Sequence, residues 1–516
     1  MSLTRRQFIW TTAAASLSWP LHAQHARESS GGRFQHGVAS GDPLGDRVIL
    51  WTRVTPSDSS VSQPIEVRWR IATDPGLKRI VSTGRATTGA ERDYTVKTDV
   101  DGLMPGATYY YAFDLEGEQS PIGRTKTLPA AGANRLRFAV ISCANYPAGF
   151  FNVYACVAQR TDLDAVIHVG DYIYEFAEGE YGVGAAIHRI PNPPREAVTL
   201  ADYRLRYATY RSDADLQEAH SLFPFIAVWD DHELANNAWA GGALNHNPEK
   251  GEGDWATRKA GAYQAYLEWM PIREVSGGGI HLYRTFHFGG LADLVMLDTR
   301  SLRDRQVSNR DAAALANPDR TLLGAAQEAW LFDQLRESQR ASTPWTLLGQ
   351  QVVFSTISLP GMPITDADAW DGYPAQRARV LDFVEREQIR NLVVLTGDAH
   401  SSWGFDVPRS PWSHYRPASG EGSLAVELVT PAISSPPPTM FTSANGSNAA
   451  AAIRVAFPHL KCLDGVHRGY LILDITPALL SASWYFSPDV RVHSDEEIAG
   501  PTLVCERGSQ HLLNGV

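Results

Sequence analysis

The apolar and polar positions divide the chain into two differently patterned regions. Before about residue 130 the pattern is that of short strands and turns, as in Val48-Ile49-Leu50-Trp51-Thr52-Arg53-Val54 and Ile65-Glu66-Val67-Arg68-Trp69-Arg70-Ile71. From Arg135 onward, apolar β-type runs alternate with helical stretches such as Leu200 to Tyr210 and Glu328 to Arg340, which predicts an α/β domain. Five of these runs end in residues with metal-ligating or polar side chains. Phe138 to Ile141 leads into Ser142-Cys143-Ala144-Asn145, and Val166 to Val169 into Gly170-Asp171-Tyr172-Ile173-Tyr174. Phe225 to Trp229 leads into Asp230-Asp231-His232-Glu233, Thr346 to Leu348 into Gly349-Gln350-Gln351, and Leu392 to Thr396 into Gly397-Asp398-Ala399-His400. Open α/β sheets bind ligands beyond the carboxyl ends of their strands, so these run-ends predict a convergent metal site.

The 516 residues, 44% of them hydrophobic, exceed one compact core and predict at least two domains. Thr4-Arg5-Arg6-Gln7-Phe8-Ile9 carries the paired arginines of a twin-arginine signal, followed by an Ala-rich apolar stretch to Leu17 and a cleavage site near Ala23. Residues 1–28 therefore read as signal and linker, and the expected location is the periplasm or the extracellular space, reached through the twin-arginine (Tat) export machinery. Later in the chain no run approaches the ~18 apolar residues of a membrane span, so no integral membrane segment is expected. A net charge of -11 argues against a nucleic-acid-binding surface. The four cysteines form no disulfide framework, although export leaves a Cys462–Cys505 pair open.

Within residues 29–130, Leu103-Met104-Pro105-Gly106 followed by Tyr109-Tyr110-Tyr111 resembles the tyrosine-bearing corner of a fibronectin type III or immunoglobulin-like β-sandwich. A small sandwich is expected there, with the catalytic α/β domain over residues 131–516.

The chemistry is clearest at Asp171 and Tyr174. A strand-end carboxylate can bridge two cations, and a phenolate three residues later is a hard anionic donor. Alone this pair is unspecific, and the set of strand ends carries the reading. In order and strand context the set resembles the calcineurin-like metallophosphoesterases, whose fold is a pair of sandwiched β-sheets flanked by helices. Cys143 stands where that pattern has its first Asp, and Asn145 where it has its first His. Asp171 matches the bridging carboxylate, Tyr174 the tyrosinate of the purple acid phosphatase branch, and Asp231-His232-Glu233 the Asn-His-Glu motif. Gln351 falls at the isolated His, and Asp398 and His400 at the last two histidines. Gly37-Val38-Ala39-Ser40-Gly41-Asp42-Pro43, the Tyr203-Arg204 to Tyr210-Arg211 stretch and Leu297-Asp298-Thr299-Arg300 further resemble the secreted alkaline phosphatase D family.

The donor types fit that branch. Cys143, Tyr174, Asp171 and His400 form an anionic set that favours ferric iron, while Asp171, Asp231, Asp398 and Gln351 offer the oxygen donors that suit calcium. The resemblance implies the same two ions, and the sequence leaves open which residue holds which. It also implies a secreted alkaline phosphatase or phosphodiesterase that hydrolyses phosphate esters by attack of a metal-bound hydroxide, with His232 assisting the leaving group. Arg206, Arg211 and Arg300 are candidates to clamp phosphate oxygens, against a packing role for each. Asp230 is expected to orient His232 or a water, and Glu427 and Ser434 to wall the pocket. Cys143 as a phosphatase nucleophile is disfavoured, because Ser142 to Ala148 lacks the glycines and arginine of a phosphate cradle. The alternative from another class is a non-catalytic exported protein that binds calcium and recognises a surface.

Overall fold

The computed structural model describes residues 32–57, 63–274 and 281–515. The twin-arginine segment and Ser29-Ser30-Gly31 of the linker lie outside the described residues.

Two parallel cores organise the α/β part. Leu136–Ile141, Ala165–His168, Pro224–Ala227 and Val38–Gly41 are parallel neighbours within a ten-stranded sheet. Ala292–Met296, Trp345–Gly349, Leu392–Thr396 and Ser423–Val429 are parallel neighbours within a seven-stranded sheet. Strands such as Ala165–His168 and Leu392–Thr396 are buried on both faces, which is why they read as unbroken apolar runs. The two sheets pack face to face. Leu294, Leu347 and Val393 of the second meet Phe138, Ile167 and Trp484 of the first in one core. The next residue along each strand, Val295, Leu348 and Val394, turns to the opposite face. There it packs on Leu331 and Leu335 of helix Gly324–Arg340 and on Val380 and Val384 of helix Pro374–Arg386. The outer face of the ten-stranded sheet is covered by helices including Leu200–Arg211, which starts at a Thr199/Asp202 capping box. This is the sandwich of sheets flanked by helices that the sequence predicts. A parallel bridge between Ser142 and Ala432 ties the carboxyl ends of the two sheets together.

The N-terminal sandwich is present and shares strands with the larger sheet. Its outer layer is a five-stranded sheet built on Ile65–Ala72, Ile80–Thr88 and Thr108–Leu115. The apolar faces of Val67, Ile71, Tyr111 and Phe113 pack on Val38, Val48, Leu50 and Val96. Those last four residues belong to strands of the ten-stranded sheet itself, which crosses the boundary expected at residue 130 through the pairing of Ser40 with Pro224. The tyrosine corner is formed, with the Met104 amide donating to the Tyr109 hydroxyl at 2.8 Å. Cys462 and Cys505 lie in different sheets and are free thiols. No helix among the described residues is long and apolar enough to cross a membrane.

The Gly41-Asp42 motif seals the junction. A Cβ on Gly41 would lie 2.3 Å from the Pro271 carbonyl oxygen and 2.6 Å from that of Phe225, so only glycine fits between these backbones. Asp42 is fully buried and accepts from Arg284 at 2.7 and 3.0 Å and from the Arg273 amide at 2.7 Å. Removing Arg284 leaves that carboxylate without its guanidinium partner. Arg284→Ala is therefore expected to cost about 3 kcal/mol in urea unfolding. A loss below about 0.5 kcal/mol, the range of ordinary surface substitutions, would show that the pair does not hold the junction.

Candidate metal centre

The strand ends converge. One donor atom each from Cys143, Asp171 and His400 lies within a 4.8 Å cluster, as does one each from Asp171, Asp231 and His232 and one each from Asp230, Asp231 and Asp398. Asp171 belongs to the first two groups and Asp231 to the last two, so the three form one continuous site across both sheets. The backbone is bent to achieve this. Cys143, Asp171, Asp398 and His400 all have positive φ, between 50° and 63°. Each costs roughly 1–3 kcal/mol for a residue with a Cβ, strain that tends to collect at functional sites. The preceding Gly170 admits no side chain, because a Cβ there would meet the Asp230 Cβ at 2.4 Å.

Tyr174 closes the first group. Its hydroxyl donates to Asp171 Oδ2 at 2.8 Å, lies 3.1 Å from His400 Nε2 and accepts from Ser435 Oγ at 2.8 Å. On its other ring nitrogen, His400 Nδ1 lies 3.0 Å from both Tyr181 Oη and the Pro436 carbonyl oxygen. Burial pushes the Cys143 thiol and the Tyr174 phenol well above their usual ranges, and the nearby Asp171 carboxylate adds to both shifts. Burial lowers the His400 imidazole to about 4, so it is neutral and able to donate a lone pair.

The second group is a concentration of buried acids around one guanidinium. Arg300 is fully buried and bonds Asp230 through Nε and Asp368 through Nη1 at 2.6 Å. Its Nη2 lies 3.4 Å from Asp231 and 3.5 Å from Asp398, beyond hydrogen-bonding geometry. Burial raises the Asp171 and Asp398 carboxyls far above the usual range, reinforced for Asp398 by Asp230. Asp230 is raised to about 6, again chiefly by burial. Asp231 goes the other way, to about 2, because Arg300 and His232 outweigh its burial. Asp230 Oδ2, Asp231 Oδ1, Asn145 Oδ1 and Arg300 Nη2 are buried without hydrogen-bond partners. Orphaned buried oxygens beside surplus carboxylates are the signature of a cation-binding site.

His232 sits over the cluster. Its ring stacks on Tyr174 with centroids 4.2 Å apart, and Nδ1 lies 2.8 Å from Glu175 Oε2. Burial opposes the imidazolium, but Asp231, Glu175 and Asp171 outweigh it and hold His232 well above its ordinary pKa. Glu175 is itself pinned by the Asn236 amide at 2.6 Å and Asn245 Nδ2 at 2.8 Å. Glu233 accepts from the backbone amides of Asp171, Tyr172 and Asp230, which locks two of the strand-end turns together. Above them opens a cleft of about 520 Å³ lined by Phe176, Tyr181, Asp231, His232, Asp398 and His400, among others.

Several sequence-predicted residues have other roles. Gln351 is no ligand in this arrangement: its Oε1 accepts from Thr299, and its Nε2 donates to the Leu297 carbonyl at 2.8 Å. Arg206 is likewise turned away from the cleft, with its guanidinium spent on the carbonyls of Tyr174, Phe176, Pro193 and Arg195. It braces the loop that carries Tyr174. Arg300 grips aspartates rather than facing solvent, so it is a fixed counter-charge and not a clamp at the cleft surface. Arg211 stacks on Trp51 at 4.1 Å, Glu427 ties Thr396 to the Phe354 and Ser355 amides, and Ser434 donates to the Asn145 carbonyl. Asp230 does not contact His232 through any hydrogen bond and pairs with Arg300 instead. Sequence reasoning missed Glu175, Asp368, Ser435 and Tyr181. Glu175 adjoins a recognised motif by one position, whereas Asp368 and Ser435 lie in loops with no pattern to mark them.

Known proteins share this architecture. The family model described as PhoD-like phosphatase matches residues 138–484, and its N-terminal-domain companion matches residues 20–129. Alkaline phosphatase D of Bacillus subtilis (strain 168) is 39% identical over 477 residues, covering 89% of this chain and 78% of that protein. A solved structure described as that of PhoD superposes with a TM-score of 0.83 at 35% identity, covering 95% of this chain and 93% of the other. Joined to the strand-end cluster, these matches establish that the chain belongs to the PhoD-like phosphatase family and is a phosphoric ester hydrolase.

Proposed function

We propose that this protein is an exported hydrolase of phosphate mono- and diesters, with ferric iron held by Cys143, Asp171, Tyr174 and His400 and calcium held by Asp171, Asp231 and Asp398. The single observation that carries the reading is the convergence of these side chains, through the shared Asp171, beneath a cleft-facing His232. A buried thiol and phenol whose burial keeps them protonated call for a cation of high charge to displace their protons. The neighbouring group of Asp230, Asp231 and Asp398 offers only carboxylate oxygens, which suits calcium. The paired arginines Arg5-Arg6 support export of the folded, loaded protein by the twin-arginine route.

With both halves filled, the site supplies polarisation of the phosphoryl oxygens and acidification of a water. The chain's own residues do the rest. Asp171 holds the halves in register, and Arg300 offsets the charge of the acids that no cation reaches. Glu175 accepts the Nδ1 proton of His232 and directs Nε2 toward the cleft, where that nitrogen donates a proton to the leaving oxygen. Glu175, which no cation contacts in this reading, favours the protonated imidazole of His232 and so supports its role as the proton donor. A non-catalytic calcium-binding role gives the His232–Glu175 pair no task and is not favoured by the family.

Two measurements follow. Freshly purified protein is expected to be violet from tyrosinate-to-ferric charge transfer, to contain iron and calcium by elemental analysis, and to lose hydrolysis of p-nitrophenyl and bis(p-nitrophenyl) phosphate on chelation. Colourless, metal-free protein with full activity would refute the assignment. In Glu175→Gln, kcat/KM is expected to fall about 100-fold for an alkyl ester, whose poor leaving group needs the proton. For p-nitrophenyl phosphate it should fall less than about 5-fold. Equal losses on both esters would show that His232 is not the donor.

A further inference from the structure

The walls of the cleft bear on the alcohol that leaves. Phe176 and Tyr181 are half-buried and line the same cleft as His232. Their rings lie against that histidine, with centroid separations of 5.2 Å for Phe176 and 6.2 Å for Tyr181, and they lie 5.4 Å from one another. The Tyr181 ring is within 18° of parallel to the His232 ring. A leaving group that takes its proton from His232 must place its first atoms beside that imidazole, and hence on this aromatic surface. Pro436, Pro437 and Pro438 continue the apolar rim.

Charge narrows the choice further. Among the described residues lining the cleft there is no lysine or arginine, and Arg300 is buried beneath it. Asp366 also lines the cleft, outside the three donor clusters, and adds a further carboxyl to its wall. The lining therefore disfavours leaving groups that carry a negative charge of their own.

We propose that Phe176, with Tyr181 beside it, is a specificity-determining shelf on which a flat aromatic leaving group without negative charge stacks while His232 protonates its oxygen. The proposal rests on the phosphoesterase reading above and names the substrate class for that site. Tyr181 also meets His400, so Phe176 is the cleaner position to test.

The test compares 2-naphthyl with phenyl phosphate, whose leaving groups are similar in acidity but differ in the ring face they offer. Wild-type protein is expected to favour the naphthyl ester by about tenfold in kcat/KM, the range seen when one apolar contact discriminates between substrates. Phe176→Ala should bring that ratio to about one, with iron and calcium content and the visible band retained. Phe176→Leu, which keeps apolar bulk without the ring face, should show the same collapse and serves if the alanine variant does not accumulate. A ratio that survives in both variants, or is already near one in the wild type, overturns the shelf while leaving the hydrolase reading intact. Wild-type protein that cleaves neither ester overturns both.

Discussion

The constraint on which the site depends is charge. Asp171, Asp230, Asp231, Asp368, Glu175 and Glu233 are packed into one buried region with the half-buried Asp398 at its cleft edge, and Arg300, Arg303 and His232 are buried cationic side chains in contact with them. A desolvated carboxylate without a partner is costly, and several together are costlier. The fold answers in two ways. Some acids are committed to fixed donors, as Glu233 is to three backbone amides and Asp368 is to Arg300. Of those that remain, Asp231 is held anionic by Arg300 and His232, whereas Asp171 and Asp398 are raised by burial and are stabilised as anions by cations lying beside them.

This dependence explains why the site stands where two sheets meet. Parallel strands deliver their carboxyl ends to one edge, and packing two such sheets face to face brings donors from both to the same point. The cost appears locally, in the four positive-φ residues that re-aim side chains at the strand ends. It is met by the sheets behind them, whose fully buried strands leave those turns little freedom. The N-terminal layer contributes at a distance: Val38–Gly41 extends the ten-stranded sheet beyond Pro224–Ala227, and Asp42 clamps it to Arg273 and Arg284.

Much of this was legible in the amino-acid sequence, for reasons that also explain what was not. Doubly buried parallel strands leave unbroken apolar runs, and the glycine and aspartate that follow mark where each run ends, so Cys143, Asp171, Asp231, Asp398 and His400 stood out. Position alone misled at Gln351, which occupies a strand end while its amide is consumed by Thr299 and Leu297. Arg206 lies near the site, but helical spacing does not say that its guanidinium turns toward four loop carbonyls. Asp368 and Ser435 reach the site from loops whose course is set by tertiary packing. The continuity of the N-terminal sandwich with the main sheet depends on a parallel partner far along the chain, which no local pattern reveals.

The most direct test of the central claim is calorimetric. Metal-depleted protein is unfolded across a pH series with and without calcium in excess, and the gain in Tm is recorded at each pH. Burial holds the Asp230 carboxyl at about 6, and raises Asp171 and Asp398, which share the cation-binding groups, well above the usual carboxylate range. Acids raised in the folded state contribute stability below their ordinary pKa, near 4, and lose it as the pH climbs through the raised values. A bound cation restores what is lost, so the calcium-induced gain is predicted to widen from pH 5 to pH 8. With calcium at a hundredfold excess over its dissociation constant, the gain should correspond to about 3 kcal/mol. A gain that is absent, or that stays constant or shrinks over that interval, would contradict the claim that cations hold this acid cluster together.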